Sequence, residues 1–409
     1  IQKLEKAEYY ETSAAQKRVY VVNEWDRNLI YNQPNAFILE TELGVDKLED
    51  ILKSLLNRHE ALRTSFHLVE GKLMQKIHDT VPFELQYEER IGLEEFDEVV
   101  KDFIKPFDLS QAPLIHVKLM KIGENRYFFI YDVHHIVADG WSINLLVEEF
   151  YKLINGEELK PIPIQYKDFA AWQNQYFESE QFAKEEAYWN QEFASPIVPV
   201  NWMLDRKRGE TISYSADSFT MRIEEATGTQ LKQFLSETKL TGFQFFLAAY
   251  SILIARLTSS EDVIVGTPVV GRNEEQLYQI MGMFVNSLAI RLAIHFNVSC
   301  SEFIQYVKTK SENAIENQNY QFDMLVEKLM NKRVKDRNPI FDTILVYDSE
   351  INWEGQMENE IVHFIPYELE RLHHQFDITL HIVPHGMEYD VEWIYSDALY
   401  NRSTIEAMH

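Results

Sequence analysis

A single cysteine, Cys300, stands among 409 residues. One thiol cannot close an internal disulfide or build a cysteine-based zinc site, and the composition suits a reducing, cytoplasmic setting. Long apolar runs are also missing. The longest, Phe243 to Leu257, is broken by Gln244, Tyr250, Ser251 and Arg256 and falls short of the ~20 residues that span a bilayer. It reads as a buried helix, and no membrane association is expected. Basic residues are scarce: 39 Lys and Arg against 65 Asp and Glu leave a net charge of −26. Such a balance opposes approach to phosphate backbones and anionic lipid, which excludes nucleic acid as a natural partner. The start, Ile1-Gln2-Lys3-Leu4, has neither methionine nor a basic-then-apolar leader, so the expectation is an excised part of a longer multidomain chain.

What is present is the composition of a folded protein, 45% hydrophobic, 25% charged and 13% aromatic. The length exceeds what one core usually supports, which predicts two lobes. Leu48, Ile51, Leu52, Leu55 and Leu56 recur at helical spacing after Asp46, a candidate cap with Glu49 three residues on. Leu62 to Val69 and Lys72 to Ile77 read as a hairpin around Glu70-Gly71, and Leu114 to Lys121 and Arg126 to Val133 as two strands around Gly123-Glu124-Asn125. The second of these strands is apolar at nearly every position, the mark of an interior strand. Between Pro161 and Val200 proline and aromatic residues cluster, and the lobes are placed at 1–175 and 176–409. Beyond it, strands are expected near Ala216 to Ile223, Asp262 to Val270, Ser287 to Ile294, Ile340 to Tyr347, Asp377 to Val383 and Met387 to Tyr395, with a capping box, Thr241 to Gln244, opening a central helix.

The chemistry concentrates where the apolar strand ends, in His134-His135-Ile136-Val137-Ala138-Asp139-Gly140. Polar groups buried there without partners would cost several kcal/mol. Adjacent side chains of an extended segment point apart, so one histidine is structural and the other free to act. Two hydrogen-bonded core histidines with Asp139 capping the turn is the competing reading. A metal centre needs three or four converging ligands, which the segment lacks. Gly140 lets a backbone approach a ligand closely, and Ser142 is a candidate cap for a helix carrying Ile143, Leu146, Val147, Phe150 and Leu153.

This segment matches the HHxxxDG signature of condensation domains of non-ribosomal peptide synthetases. Six further segments resemble that family's blocks in the same order: Ser13 to Arg18, Arg58 to Phe66, Tyr166 to Trp172, Ile280 to Ser287 with Arg291, Asn317 to Asp323, and Arg337 to Ile340. Ala138, Asn319, Gln321 and Asp323 depart from the residues usual there, which bears on substrate preference. The resemblance covers essentially the whole chain. It implies an α/β fold of the α+β sandwich type, with two chloramphenicol acetyltransferase-like lobes in a V-shaped pseudo-dimer and the active site in a tunnel between them.

The activity so implied is amide-bond formation by an acyltransferase, in antibiotic or siderophore biosynthesis. The α-amine of a downstream aminoacyl thioester attacks an upstream acyl or peptidyl thioester, with both substrates arriving on phosphopantetheine arms. The implied partners are the donor and acceptor peptidyl carrier proteins and an adjacent adenylation domain, and no cofactor or metal is held by the domain itself. The implied site has His135 as general base or amine anchor and the Gly140 backbone N–H at the substrate. His134, Asp139, Arg63 and Arg291 support it, with Asp139 ion-paired to Arg291. Trp141, Ser142 and Asn286 line the substrate channel. His59 at a helix end and His373-His374, which lacks a following Asp-Gly, read as structural. Epimerisation domains share HHxxxDG but differ after Asp-Gly and in the fifth block, and heterocyclisation domains replace both histidines by aspartate. A non-catalytic recruitment module is the alternative from another class; intact His135, Asp139 and Gly140 argue against it.

Overall fold

Leu48, Ile51, Leu52, Leu55 and Leu56 are all buried on one face of a single helix, Val45–Arg58, as their spacing demands. In the computed structural model, which describes residues 1–26, 29–93, 95–329, 336–348, 361–369 and 374–409, such faces assemble into two units. The described residues of Ile1–Ser179, Arg272–Val285 and Asn352–Glu370 form the first, and those of Glu180–Gly271, Asn286–Ile351 and Arg371–His409 the second. The first unit therefore takes pieces from far along the chain.

Strands and helices are numbered in chain order. In the first unit, β1 (Tyr10–Glu11), β4 (Lys72–Ile77) and β3 (Thr64–Val69) make a small sheet in the order β1-β4-β3. The β3–β4 hairpin turns at Glu70 and Gly71, both at positive φ (51° and 79°), the geometry whose twist matches paired strands. Its first strand begins at Thr64 because Glu60–Arg63 winds into a 3₁₀ turn instead. The larger sheet runs β12-β2-β7-β6-β5, with β2 Asn32–Thr41, β5 Gln86–Glu89, β6 Ile115–Gly123, β7 Arg126–His134 and β12 Val362–Tyr367. The apolar strand β7 lies at its centre. Phe129, Tyr131 and Val133 enter a core shared with Leu52, Leu55, Leu146 and Phe150, while Phe128 and Ile130 pack with Phe96, Val100 and Phe103. Burial on both faces is what the absence of polar alternation in β7 required.

The helices of this unit are α1 (Ala14–Asp26), α2 (Val45–Arg58), α3 (Asp97–Phe103), α4 (Gly140–Ile154) and α5 (Tyr166–Tyr176). Gly44, not Asp46, occupies the N-cap of α2, and Asp46 sits in the first turn, where a carboxylate complements the helix dipole.

The second unit carries a six-stranded sheet in the order β10-β9-β11-β13-β14-β8. Its strands, β8 Asp217–Ile223, β9 Asp262–Val269, β10 Asn286–Ala293, β11 Thr343–Tyr347, β13 Ile378–His385 and β14 Glu388–Tyr395, coincide with the six predicted from sequence to within a few residues. Strand β11 runs parallel to β9 and β13, and the other pairs are antiparallel. Around it lie α6 (Glu180–Glu192), α7 (Glu225–Thr238), α8 (Gly242–Thr258), α9 (Cys300–Glu316), α10 (Phe322–Leu329) and α11 (Arg402–Glu406). Helix α8 holds the longest apolar run and opens on the predicted box: Thr241 accepts from the Gln244 N–H, and Gln244 reaches back to the Thr241 N–H. Among the described residues no single helix is long and apolar enough to cross a bilayer.

Candidate active site

The two histidines at the end of β7 have different surroundings, as residues on alternate faces of an extended chain must. His134 is buried. Its Nδ1 accepts the Ile136 N–H (3.2 Å), its Nε2 lies 3.3 Å from the Asn23 carboxamide oxygen, and the ring packs near Tyr31 and Phe107. Burial, with a smaller contribution from His135, lowers its pKa to about 3. A neutral ring donating through Nε2 and accepting through Nδ1 is locked in one state, which makes His134 structural.

His135 is only partly buried. Its backbone N–H donates to the Tyr31 carbonyl (2.8 Å), and its Nδ1 is buried with no hydrogen-bond partner among the described residues. Of the two ring nitrogens, Nε2 is the one not shut off in this way. Burial holds the pKa below the usual imidazole value, against the opposing pull of the Asp139 charge and the backbone carbonyls of His135 and Ala138; Arg18 adds to the lowering. A neutral imidazole presenting Nε2 is suited to accept a proton or to anchor an amine.

Asp139 caps α4, and Ser142 does not. The carboxylate oxygen Oδ1 accepts from the Ser142 N–H (2.9 Å) and hydroxyl (2.7 Å). The same carboxylate takes two bonds from Arg272, at 2.7 and 3.0 Å, and one from the Phe284 N–H at 3.0 Å. Both members of the pair have no exposed side-chain surface. Paired and hydrogen-bonded this fully, a buried charge is tolerated.

Arg272 corrects the expected pairing with Arg291. Arg291 projects from β10 in the second unit to Asp262 (2.9 and 2.6 Å) and to the carbonyls of Glu192, Ser195 and Pro196. The fifth-block arginine is thus saturated elsewhere. Sequence reasoning missed Arg272, which directly follows Gly271 after the end of β9, because it sought the partner within the block. A fully buried Asp139 demanded a cation on a loop, whereas Arg291 sits mid-strand, out of phase with the buried Leu288, Ile290 and Leu292.

Ser142 is not a channel residue. Fully buried, its hydroxyl also accepts from Arg272 and from the Gly282 N–H, both at 3.0 Å. Gly282 is fixed in turn by Tyr166: a Cβ there would lie 1.8 Å from the Tyr166 ring. The Tyr166 hydroxyl joins Ser13 (2.7 Å) and the Met283 carbonyl (2.5 Å). Residues from the first, third, fourth and fifth blocks therefore meet in one buried network.

Asn286 is likewise buried and fully engaged. Its amide donates to the carbonyls of Gln318 and Tyr320 and accepts the Phe322 N–H, so it shapes the sixth block rather than a channel. Arg63 binds the carbonyls of Leu56, Asn57, His78 and Asp79, which ties the end of α2 to the hairpin and not to the His135 turn among the described residues. His59 is buried against Glu149 (2.7 Å), which also binds Arg58. Of the second histidine pair, His373 lies outside the described residues, and His374 bonds to the Phe376 N–H and Thr379 within the second unit.

Two residues remain open. Trp141 is 37% exposed, its indole N–H on the Tyr278 carbonyl (3.0 Å). Gly140 is exposed, and a Cβ built on it meets nothing within 4 Å. It is the first residue of a 15-residue helix, where N–H groups lack intrahelical partners and attract developing negative charge. No three His, Cys, Asp or Glu side chains converge as a metal would need among the described residues.

The condensation-domain family model matches residues 6–409. The chain belongs to that family. This condensation domain is 39% identical over 404 residues to tyrocidine synthase 3 of Brevibacillus parabrevis, covering 98% of the chain and 6% of the synthase. It is 37% identical over 409 residues to gramicidin S synthase 2 of Aneurinibacillus migulanus, covering 100% and 9%. The domain thus spans under a tenth of these relatives. Among solved structures it resembles a four-domain nonribosomal peptide synthetase bound to AMP and glycine (TM-score 0.86, 22% identity, all of this chain and 33% of that one). It also resembles the condensation domain of the monacolin K polyketide synthase (TM-score 0.86, 20% identity, 100% and 96%). These likenesses establish the mixed α/β, acetyltransferase-like fold.

Proposed function

We propose that this condensation domain joins an upstream acyl or peptidyl thioester to the α-amine of a downstream aminoacyl thioester, each delivered on the phosphopantetheine arm of a carrier protein. The amine nitrogen attacks the thioester carbonyl, the C–S bond breaks, the departing thiolate takes a proton, and the new amide nitrogen loses one. The observation that carries this reading is a partly buried His135 with its Nδ1 shut off from solvent, four residues before an Asp139 cap and an exposed Gly140 on which a Cβ would meet nothing within 4 Å. An α-amine of pKa about 7.7 to 8.0 is already partly neutral at cytoplasmic pH, so His135 need only orient it or take the proton released on attack. A general base contributes typically ~10²- to 10⁴-fold, and holding two reactants in place roughly 7 to 11 kcal/mol. In this reading the Gly140 N–H, in the first turn of α4, meets the oxyanion of the tetrahedral intermediate.

In this reading the carriers and an adenylation domain of the same cytoplasmic synthetase are the partners. The test uses loaded donor and acceptor carriers with wild-type domain and His135→Ala. Amide product from the wild type, and a loss of at least ~100-fold in the folded variant, is the expected result. Full turnover by His135→Ala would overturn it. Inversion at Cα of a single loaded carrier would make the domain an epimerase, and carrier binding without product from any pair would make it a recruitment module.

A further inference from the structure

The backbone that carries His135 is fastened to the residue before it. The Val137 N–H meets the His134 carbonyl (3.1 Å), but the Ile136 N–H meets the His134 ring, at Nδ1 (3.2 Å). Ile136 is fully buried, so its amide has no water to turn to. Nδ1 accepts only while it is unprotonated, and a neutral imidazole then carries its proton on Nε2. The partner of Nε2 among the described residues is the carboxamide oxygen of Asn23, at 3.3 Å. Turned round, that amide would present an N–H to Nε2 and force the ring proton onto Nδ1, against the Ile136 N–H. Asn23 is buried on α1, in line with Ala15 and Val19, which are buried and apolar. An amide at the inward end of such a stripe is costly unless it is hydrogen-bonded.

The same helix reaches the other end of the turn. Ser13, just ahead of α1, bonds the Tyr166 hydroxyl (2.7 Å), the Tyr166 ring lies against Gly282, and the Gly282 N–H bonds Ser142 (3.0 Å), which bonds Asp139 (2.7 Å). From Ser13 to Asn23 the chain covers about 15 Å of helix. Helix α1 thus grips the turn directly at His134 and, through that relay, at Asp139. We propose that Asn23 is a positioning residue for His135: by accepting the His134 Nε2–H it keeps the lone pair on Nδ1, which holds the Ile136 N–H and with it the backbone that presents His135. The inference rests on the reading of His135 as the reaction centre and names what fixes the chain beside it.

The experiment compares Asn23→Leu, which keeps the size and removes the acceptor, with Asn23→Asp, which offers an oxygen whichever way it turns. Amide hydrogen exchange reports the turn. In Asn23→Leu, Ile136 is expected to exchange at least about 10-fold faster than in the wild type, the scale of one lost hydrogen bond, while Val137, which bonds backbone alone, changes by less than about threefold. Histidine ¹⁵N spectra, with the His134 signals identified by their loss in His134→Gln, should show Nε2 protonated in the wild type and Asn23→Asp, and mixed tautomers in Asn23→Leu. With loaded carriers, kcat of Asn23→Leu falls roughly 10-fold and KM changes by less than about twofold. Asn23→Met substitutes should the leucine variant not fold. Equal acceleration of Ile136 and Val137 would mean general loosening of the core and overturns the proposal. So does an acceptor-free variant with the wild-type tautomer and kcat, or an Asn23→Asp with Nε2 unprotonated. Exchange and tautomer are read without turnover, so failure of the amide-forming reading leaves this test standing.

Discussion

Asp139 and Arg272 meet in a two-pronged ion pair, at 2.7 and 3.0 Å, with no exposed surface on either side chain. Removing one member leaves the other as an uncompensated buried charge, which typically costs about 3 to 5 kcal/mol. Asp139→Ala and Arg272→Ala should each lower the unfolding free energy measured in urea by that amount and abolish amide formation. Arg291→Ala breaks a pair whose carboxylate is 35% exposed and should cost less than about 2 kcal/mol, with turnover retained. An Arg291 variant as damaging as the Arg272 variant would refute the assignment.

Burial holds the His135 pKa below 6.5, and in the proposed reaction the neutral ring is the form that acts. Activity is then full above the folded pKa and lost as pH falls through it. The acid limb of kcat, measured with saturating carriers, should lie below pH 6.5. A limb at or above that value would mean a solvated or carboxylate-stabilised imidazolium.

Two glycines should respond oppositely to alanine. At Gly282 the new methyl would strike the ring of a buried, doubly hydrogen-bonded Tyr166, and overpacking of this kind costs about 1 to 3 kcal/mol or more. At Gly140 the methyl meets no protein atom within 4 Å. Thermal unfolding of Gly140→Ala should match the wild type while amide formation falls, because the proposed reaction places substrate in that space. Equal stability of both variants would contradict the packing described.

His381 on β13 lies between Asp348 (2.9 Å) and Glu392 (3.0 Å) in the second unit. Burial lowers its pKa, but hydrogen bonds and charge from both carboxylates outweigh that and raise it to about 9. A raised histidine pKa stabilises fully below the unfolded value near 6.5 and ceases to do so as pH rises through 9. The pair of values corresponds to about 3 kcal/mol. Urea unfolding between pH 6 and 10 should show this loss in the wild type, and His381→Gln should flatten it.

Periodicity and punctuation made the elements legible. Strand β7 announced its central place through the absence of polar alternation, and α8 through Thr241 and Gln244. The reactive turn was legible because two histidines, an aspartate and a glycine at a strand end have few bland explanations. What the sequence could not show was partnership across long separations. Arg272 and Arg291 are both plausible cations for Asp139 until one knows which loop folds back, and Asp262 claims the second by strand register. Ser142 and Asn286 read as channel residues because polarity beside a site resembles function; Ser142 instead bonds Asp139, Arg272 and the Gly282 N–H, and Asn286 the backbone around the sixth block. The cap of α2 failed for a local reason, since an acidic residue in the first turn and one at the N-cap leave nearly the same trace.

The return of distant segments to the first unit sets the order in which a growing chain can finish it. When Ser179 has been made, Asp139 still awaits a cation 133 residues further along, and β2 awaits its neighbour β12, with Thr41 pairing with Val362. At ~5 to 20 residues per second Arg272 follows after roughly five to twenty seconds and β12 after roughly ten to forty. Until then the nascent half carries an Asp139 carboxylate without its Arg272 partner and a β2 edge without β12, so the turn after β7 and the sheet beside it can be completed only once these later segments have been made.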